Sequence, residues 1–133
     1  VCAAIKNFYS MIIGSANELN TAAFLLNKSI IEMNKFVKFL GGSEKSVYGL
    51  AGLGDLYVSS AGGRNSKMGQ LLGKGHLYTE AKAKFMPNET IEGAELAMDI
   101  GKKVLKDFRQ KDFPLMHALI DAICNDKKFT IKW

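Results

Sequence analysis

The chain has 133 residues, of which 47% are hydrophobic and 23% are charged. This composition is typical of one folded domain and excludes a disordered or fibrous chain. Its longest unbroken apolar run, at 22–26, is far shorter than the about 18 residues that cross a membrane. The net charge of +5 favours anionic partners without choosing among nucleic acid, lipid and phosphorylated metabolites. Because the first residue is Val1 and no signal pattern follows, we expect a fragment or a trimmed domain.

The two cysteines, Cys2 and Cys124, lie near opposite ends of the chain and form no C-x-x-C motif. His76 and His117 stand in no ligand spacing either, so the sequence predicts no metal site. We interpret both cysteines as reduced thiols in the core of a cytosolic protein, with a disulfide between the ends as the alternative.

Helical periodicity runs through the first part of the chain. Apolar residues at steps of three and four predict a helix over 1–16. Asn20 or Thr21 is placed to cap a second helix. Gly41 and Gly42 end it, because glycine accepts the left-handed conformation that follows many helices. A further apolar face predicts that this second helix is central and covered on more than one side: Phe24, Ile31, Phe36 and Phe39.

Shorter helices follow the second one. The pattern predicts them over 43–48, 65–72, 79–85 with Thr79 as cap, and from Asn88 or Thr90 to about 108. The buried stripe of the last of these includes Met98 and Leu105. Pro114 suits the first turn of a final helix, where its missing N–H costs nothing. No β–α alternation occurs, so the predicted fold class is all-α with about six to eight helices.

Lys6 and Asn7 lie inside the first, apolar helix, and no other charge follows before Glu18. One interpretation places Lys6 at the solvated edge of the helix. The other places it at a polar pocket, where a desolvated lysine can act as a general base near neutral pH.

Ten of the 13 glycines lie between Gly41 and Gly75, a density that marks close backbone packing or a bound ligand. Within this stretch, Gly52-Leu53-Gly54-Asp55 lacks the G-x-G-x-x-G spacing and the preceding strand of a dinucleotide-binding loop. Asp55 either caps a helix after a tight turn or points its carboxylate into a pocket.

Small residues precede Arg64 and Asn65 in the run Ser59-Ser60-Ala61-Gly62-Gly63. Arg64 offers a planar fork of donors suited to phosphate or carboxylate. Asn65 adds an amide at a predicted helix N-terminus, which favours anions. The segment is either an oxyanion site or an ordinary loop with a surface arginine.

Five segments in this order carry a more specific signal: V-C-A-A-I-K-N at 1–7, G-L-A-G-L-G-D-L at 49–56, G-R-N at 63–65, L-L-G-K-G at 71–75 and I-E-G at 91–93. Together they closely resemble the C-terminal domain of NAD(P)-dependent glycerol-3-phosphate dehydrogenase. The similarity covers nearly the whole chain and weakens after about Arg109. It implies that residues 1–133 are one multi-helix domain of the 6-phosphogluconate-dehydrogenase C-terminal-like type. In this family an N-terminal Rossmann domain, which we expect to be absent from this chain, precedes the helical domain.

The resemblance implies hydride transfer between sn-glycerol 3-phosphate and dihydroxyacetone phosphate, with NAD or NADP, in a cytoplasmic protein that is commonly a homodimer. It implies no metal, nucleic acid or membrane span. Lys6 matches the family's catalytic lysine, a proton acceptor or donor. The positions that match substrate contacts are Lys6, Asn7, Asp55, Gly63, Arg64 and Asn65. Those that match cofactor contacts are Arg64, Thr90 and Glu92.

The chain departs from the family at three positions. Leu19 and Ala22 replace the Asp and Lys of a G-D-N-x-K-A-A-L stretch, which removes a charge beside the pocket. Gly63 stands where bacterial members often have Ser, so a backbone contact replaces the hydroxyl. These departures favour keeping an alternative, a diverged non-catalytic helical module that binds a phosphometabolite or a protein partner.

A basic nucleic-acid binder is less favoured, because the lysines are scattered and mixed with acids. The choice between NAD and NADP depends on the Rossmann domain. We therefore expect the isolated chain to fold and to have no dehydrogenase activity.

Overall fold

A computed structural model describes residues 2–16, 19–42, 56 and 62–133 of the chain. In these ranges it gives the bounds of six α-helices: α1 (Cys2–Gly14), α2 (Leu19–Phe39), α3 (Arg64–Gly73), α4 (Tyr78–Phe85), α5 (Glu92–Asp107) and α6 (Pro114–Cys124). The same ranges contain no strand, which confirms the all-α prediction. Nor do they contain a helix with the length and apolarity needed to cross a membrane. The helix predicted over 43–48 lies outside the described residues.

The fold is organised around α1, which contacts α2, α3, α5 and α6. Phe8, Tyr9, Met11 and Ile12 of this helix are completely buried. Such a helix, apolar nearly all round, is stable only when other elements cover it on several sides. α1 therefore occupies the central position that the periodicity assigned to α2.

The prediction of a second covered face on α2 is wrong for three of its four residues. Phe24, Ile31 and Phe39 are exposed, whereas Phe36 is buried as expected. Two of the exposed rings nevertheless make edge-to-face contacts with other aromatic rings. Phe24 lies 5.4 Å from the ring of Trp133, and Phe39 lies 4.6 Å from that of Phe108.

Three other residues assigned to the core are exposed: Met98, Leu105 and Cys124. Small residues form much of the buried face of α5, namely Gly93, Ala94, Ala97 and Gly101. Gly101 lies against Ile120 and Cys124 of α6, whereas Met98 and Leu105 of α5 face solvent. The Cys124 thiol is free, and its Sγ donates to the carbonyl oxygen of Ala97 at 3.3 Å.

The start of α4 also differs from the prediction, because a distant residue supplies its cap. Leu77, not Thr79, is the N-cap residue, and α4 begins at Tyr78. The Thr79 amide and hydroxyl donate to the Asp126 carboxylate at 3.1 and 2.7 Å. This contact fastens the segment after α6 to the N-terminus of α4.

Glycines bring α1 and α3 into backbone contact. A Cβ added to Gly69 of α3 would lie 2.0 Å from the carbonyl oxygen of Met11, and one on Gly73 would lie 2.2 Å from that of Ser15. From the other side, a Cβ on Gly14 would meet the α3 backbone at 2.5 Å. Since no real Cβ contact is this short, the two helices can adopt this separation only with glycine at these positions. Gly69 and Gly73 thus mark close packing, one of the two interpretations of the glycine-rich stretch, whose residues 43–55 and 57–61 lie outside the described ranges.

A buried carboxylate, Glu32 of α2, connects three helices. Only 3% of its surface is exposed. The Tyr9 hydroxyl of α1 donates to its Oε1 at 2.9 Å. At the N-terminus of α6, the backbone amides of Leu115 and Met116 donate at 2.7 and 3.0 Å. Two amides that a helix leaves unpaired thereby gain a partner.

The ionisation of Glu32 makes stability depend on pH. Burial raises its pKa from 4.5 to about 7, although the hydrogen bonds from Leu115, Tyr9 and Met116 and the nearby Lys35 oppose this rise. Between these pH values the folded state keeps a proton that the unfolded state has released. We therefore expect the free energy of unfolding to fall as pH rises through this window, by about 3 kcal/mol.

Denaturant unfolding at about pH 5 and about pH 8 measures this fall. Glu32→Gln cannot titrate and is expected to lose the part of the pH dependence that Glu32 contributes. Asp99→Asn, on the exposed face of α5, serves as the control and should keep it. Equal pH dependence in the wild type and Glu32→Gln contradicts this assignment.

Candidate functional site

A cavity of about 310 Å³ lies where α1, the start of α3 and the start of α5 meet. Its described lining residues are Asn7, Gly62, Gly63, Arg64, Asn65 and Glu92. The volume is at the lower end of the range for small-molecule sites. The structure thus brings together five of the residues predicted for the site, from three separate segments of the sequence.

The N-terminus of α3 begins after a glycine, which supplies no side-chain cap of its own. Its N-cap residue is Gly63, which has φ 93° and makes no side-chain hydrogen bond. This φ lies in the region that glycine adopts without a steric penalty. Helix geometry gives first-turn amides no carbonyl partner within the helix, and the N-terminal end of a helix dipole favours an anion.

Arg64 and Glu92 form an ion pair across the mouth of the cavity. Their side chains are 52% and 38% exposed, and ion pairs at this exposure contribute roughly 0 to 1 kcal/mol to stability. An anionic ligand can therefore compete with Glu92 for the guanidinium at little cost. Arg64 also keeps further N–H donors, since its planar fork carries five.

Asn65 connects α3 to α5 through both ends of its amide. Its Oδ1 accepts from the backbone amide of Gly93 at 2.8 Å, and its Nδ2 donates to Glu92 Oε2 at 3.3 Å. Asn65 thus caps α5 from another helix. For this reason α5 begins at Glu92, not at Asn88 or Thr90 as the sequence predicted. The predicted contact of Asn65 with substrate stays a prediction.

Gly93 is the site residue that the sequence analysis did not single out. A Cβ at this position would lie 2.7 Å from the carbonyl oxygen of Asn7 and 2.9 Å from Asn65 Oδ1. Only glycine lets the first turn of α5 approach α1 this closely. The available signal was a glycine in the first turn of an amphipathic helix, directly after the predicted cofactor contact Glu92.

The remaining predicted residues are either absent from the described lining of the cavity or outside the described ranges. Lys6 directly precedes Asn7 on α1 and is half-buried. The described lining includes Asn7 and not Lys6. Thr90 is exposed in the segment before α5, and Asp55 lies outside the described residues. In the described part of the chain, no cluster of three or more His, Cys, Asp or Glu residues could hold a metal.

One of the departures from the family pattern can be located. Ala22 is half-buried at the start of α2 and packs against the hydrophobic core. A lysine there would have to keep its ammonium in water while its stem crossed apolar surface. Ala22 therefore contributes to the packing of the hydrophobic core in this chain.

A larger cavity of about 520 Å³ lies at the other end of α3. Its described lining residues are Ser15, Ala16, Thr21, Phe24, Leu25, Gly73, Phe129, Ile131 and Trp133. None of these carries a charge, and a phosphate group needs charged or strongly polar donors. The smaller cavity is accordingly the better candidate for a site that binds an anion.

The fold and this cavity define a helical domain suited to a small anionic ligand. The chain belongs to the family described as NAD-dependent glycerol-3-phosphate dehydrogenase C-terminus, whose model matches residues 1–131. This match confirms the resemblance inferred from the motifs.

Individual relatives agree with the family match. The chain is 34% identical to glycerol-3-phosphate dehydrogenase [NAD(P)+] of Phytoplasma australiense, over 98% of this chain and 40% of that protein. It is 31% identical to the NADP(+)-dependent glycerol-3-phosphate dehydrogenase of Archaeoglobus fulgidus, over 84% of this chain and 38% of that protein. The chain therefore spans about two fifths of the length of these relatives.

Solved structures show the same fold. The glycerol-3-phosphate dehydrogenase of Coxiella burnetii matches with a TM-score of 0.81 and 26% identity, over 96% of this chain and 40% of that one. The enzyme of Saccharomyces cerevisiae matches with a TM-score of 0.80 over 97% of this chain and 39% of that one, at 22% identity. The likeness to the second structure, at 22% identity, concerns the fold alone.

Proposed function

We propose that this chain is the substrate-binding and catalytic half of an oxidoreductase that interconverts sn-glycerol 3-phosphate and dihydroxyacetone phosphate. It works with NAD(H) or NADP(H) and with an N-terminal dinucleotide-binding domain of the same protein. One observation carries the proposal. The cavity joins the N-terminus of α3, whose N-cap residue is Gly63, and Arg64 to the wall of α1 that carries Asn7, next to Lys6.

In this proposal the substrate phosphate binds at the N-terminus of α3. The Arg64 guanidinium and the first-turn amides supply donors to a dianion, and Gly63 leaves room for it. Binding at this remote group orients carbon 2 of the substrate for reaction. Asn7, on the facing wall, offers its amide to a substrate oxygen.

Lys6 is the proposed proton acceptor in alcohol oxidation and the proton donor in ketone reduction. Its ammonium transfers one proton to the oxygen on carbon 2 while the bound nicotinamide supplies the hydride. Asp55 is proposed to orient this ammonium.

The three predicted cofactor contacts carry groups suited to a dinucleotide. Glu92 offers carboxylate acceptors, Thr90 offers an exposed hydroxyl, and Arg64 carries a positive charge suited to a pyrophosphate. Three such groups can contact only a small part of a dinucleotide, so the N-terminal domain would supply most of the cofactor contacts.

Assembly as a homodimer and a cytoplasmic location belong to the same proposal. The exposed apolar side chains Phe24, Ile31 and Phe39 on α2 are consistent with a surface that a second copy covers. The free thiol of Cys124 is consistent with a reducing compartment.

Replacing Arg64 tests the proposed phosphate site. In the full-length protein we expect Arg64→Ala to raise the KM for dihydroxyacetone phosphate by about 10- to 100-fold, because charged hydrogen bonds to a dianion are lost. The measurement is steady-state oxidation of NADH or NADPH. Arg109→Ala removes an exposed arginine that pairs with Asp112 before α6 and should leave KM unchanged.

The same assay distinguishes the proposed function from its alternative. Turnover by the full-length protein and none by residues 1–133 alone is the expected pair of results. Calorimetry that detects dihydroxyacetone phosphate binding without turnover in the full-length protein supports a non-catalytic module instead. An unchanged KM in Arg64→Ala contradicts the phosphate site.

A further inference from the structure

We propose that Glu32 is a positioning residue for the reaction, acting through the hydroxyl of Tyr9 to fix the place of α1 and hence of Lys6 and Asn7. Glu32 lies outside the described lining of the cavity and belongs to no site assigned above. The inference rests on the proposed function, since it assigns Glu32 a part in that reaction.

Tyr9 is well placed to transmit this constraint. It is completely buried and lies on α1 one turn after Lys6. Because side chains on a helix lean toward its N-terminus, the Tyr9 ring leans toward the turn that begins at Lys6. A shift of this ring moves the part of the helix that forms the cavity wall.

The hydrogen bond between Tyr9 and Glu32 adds a directional constraint to the packing of α1. Backbone contacts at Gly69 and Gly93 set how closely α3 and α5 approach α1. Dispersion contacts between packed surfaces depend weakly on direction. A hydrogen bond of 2.9 Å from Tyr9 to Glu32 weakens steeply when either partner slides or rotates.

Glu32 is itself held from a third helix, so it does not simply follow Tyr9. The amides of Leu115 and Met116 hold both carboxylate oxygens. A buried acceptor with three donors has little freedom to reorient, because each lost hydrogen bond leaves a buried polar group unpaired. Glu32 therefore fixes the position of α1 relative to α6.

The experiment compares Tyr9→Phe, Glu32→Gln and the double variant in the full-length protein. Tyr9→Phe removes the hydroxyl alone. Glu32→Gln places an amide NH2 where a backbone N–H of α6 needs an acceptor. We expect each variant to lower kcat about 10-fold with little change in KM, because misplaced catalytic groups affect the chemical step. Tyr78→Phe, at a buried tyrosine of α4, is the control and should keep wild-type kcat.

The double variant separates positioning from general destabilisation. If both changes break one interaction, the double variant should lose no more kcat than the worse single variant. A folded Tyr9→Phe with wild-type kcat overturns the proposal, as do losses that multiply in the double variant.

A second readout keeps the two proposals distinguishable. If the wild-type protein does not turn over dihydroxyacetone phosphate, the proposed function has failed, and amide hydrogen exchange then tests the positioning role. Tyr9→Phe is expected to speed exchange in α1 more than in α4. Equal exchange in wild type and variant overturns the positioning role by itself.

Discussion

Replacing Lys6 with alanine in the full-length protein is expected to lower kcat by about 10²- to 10⁴-fold, the contribution of a positioned general acid or base. The fold should survive, because Lys6 is only half-buried and alanine is a good helix former. The KM for dihydroxyacetone phosphate should change far less, since the proposed phosphate contacts lie on α3. Steady-state kinetics with a circular dichroism spectrum of each variant provides the measurement.

Two further variants decide what Lys6 does. Lys6→Arg keeps the positive charge but cannot release its proton near neutral pH, so it should lose nearly as much activity as Lys6→Ala. Lys102→Ala removes an exposed lysine ten residues after Glu92 on α5, about 15 Å along that helix, and should be neutral. Near-normal turnover in Lys6→Ala contradicts the proton-transfer role. Activity retained only by Lys6→Arg indicates an electrostatic role instead.

The largest expected effect on stability comes from Gly69→Ala. Alanine gains about 1 kcal/mol over glycine in a helix interior. Here, however, its Cβ would lie 2.0 Å from the carbonyl oxygen of Met11. Because both sides of this contact are backbone, α1 and α3 must move apart. The net loss should reach about 3 kcal/mol, with a thermal midpoint lowered by roughly 10 °C.

Gly62→Ala is the matched control for this prediction. A Cβ at Gly62 meets nothing within 4 Å, so its effect on the free energy of unfolding should stay within about 0.5 kcal/mol. Thermal or denaturant unfolding of both variants measures the difference. A Gly69→Ala variant as stable as Gly62→Ala would show that the helices separate without cost.

Local patterns predicted much of this fold. Apolar periodicity and Pro114 placed the helices to within a few residues, because these signals act over one or two turns. The caps of α4 and α5 were missed, because Asp126 and Asn65 reach them from distant parts of the chain. The exposure of Phe24 and Met98 was missed for a related reason, since periodicity identifies an apolar face but not whether anything covers it.

The candidate site was predictable in its residues and not in its geometry. Arg64, Asn65 and Glu92 were named from motifs, yet nothing in their spacing indicated that Asn65 holds the first turn of α5. That contact depends on the close approach at Gly93, which is a property of two packed helices. The buried position of Glu32 was likewise not predicted, since its partners lie on α1 and α6.

The backbone contacts among α1, α3 and α5 restrict how the cavity can move. At Gly69 and Gly93, α3 and α5 lie directly against the backbone of α1. Packed interfaces of this kind resist gradual deformation. We therefore expect closure around a ligand to involve little hinging among these three helices. The motion is left to the Arg64 and Glu92 side chains and to whatever structure covers the open side. The described helices thus form a preorganised part of the proposed site.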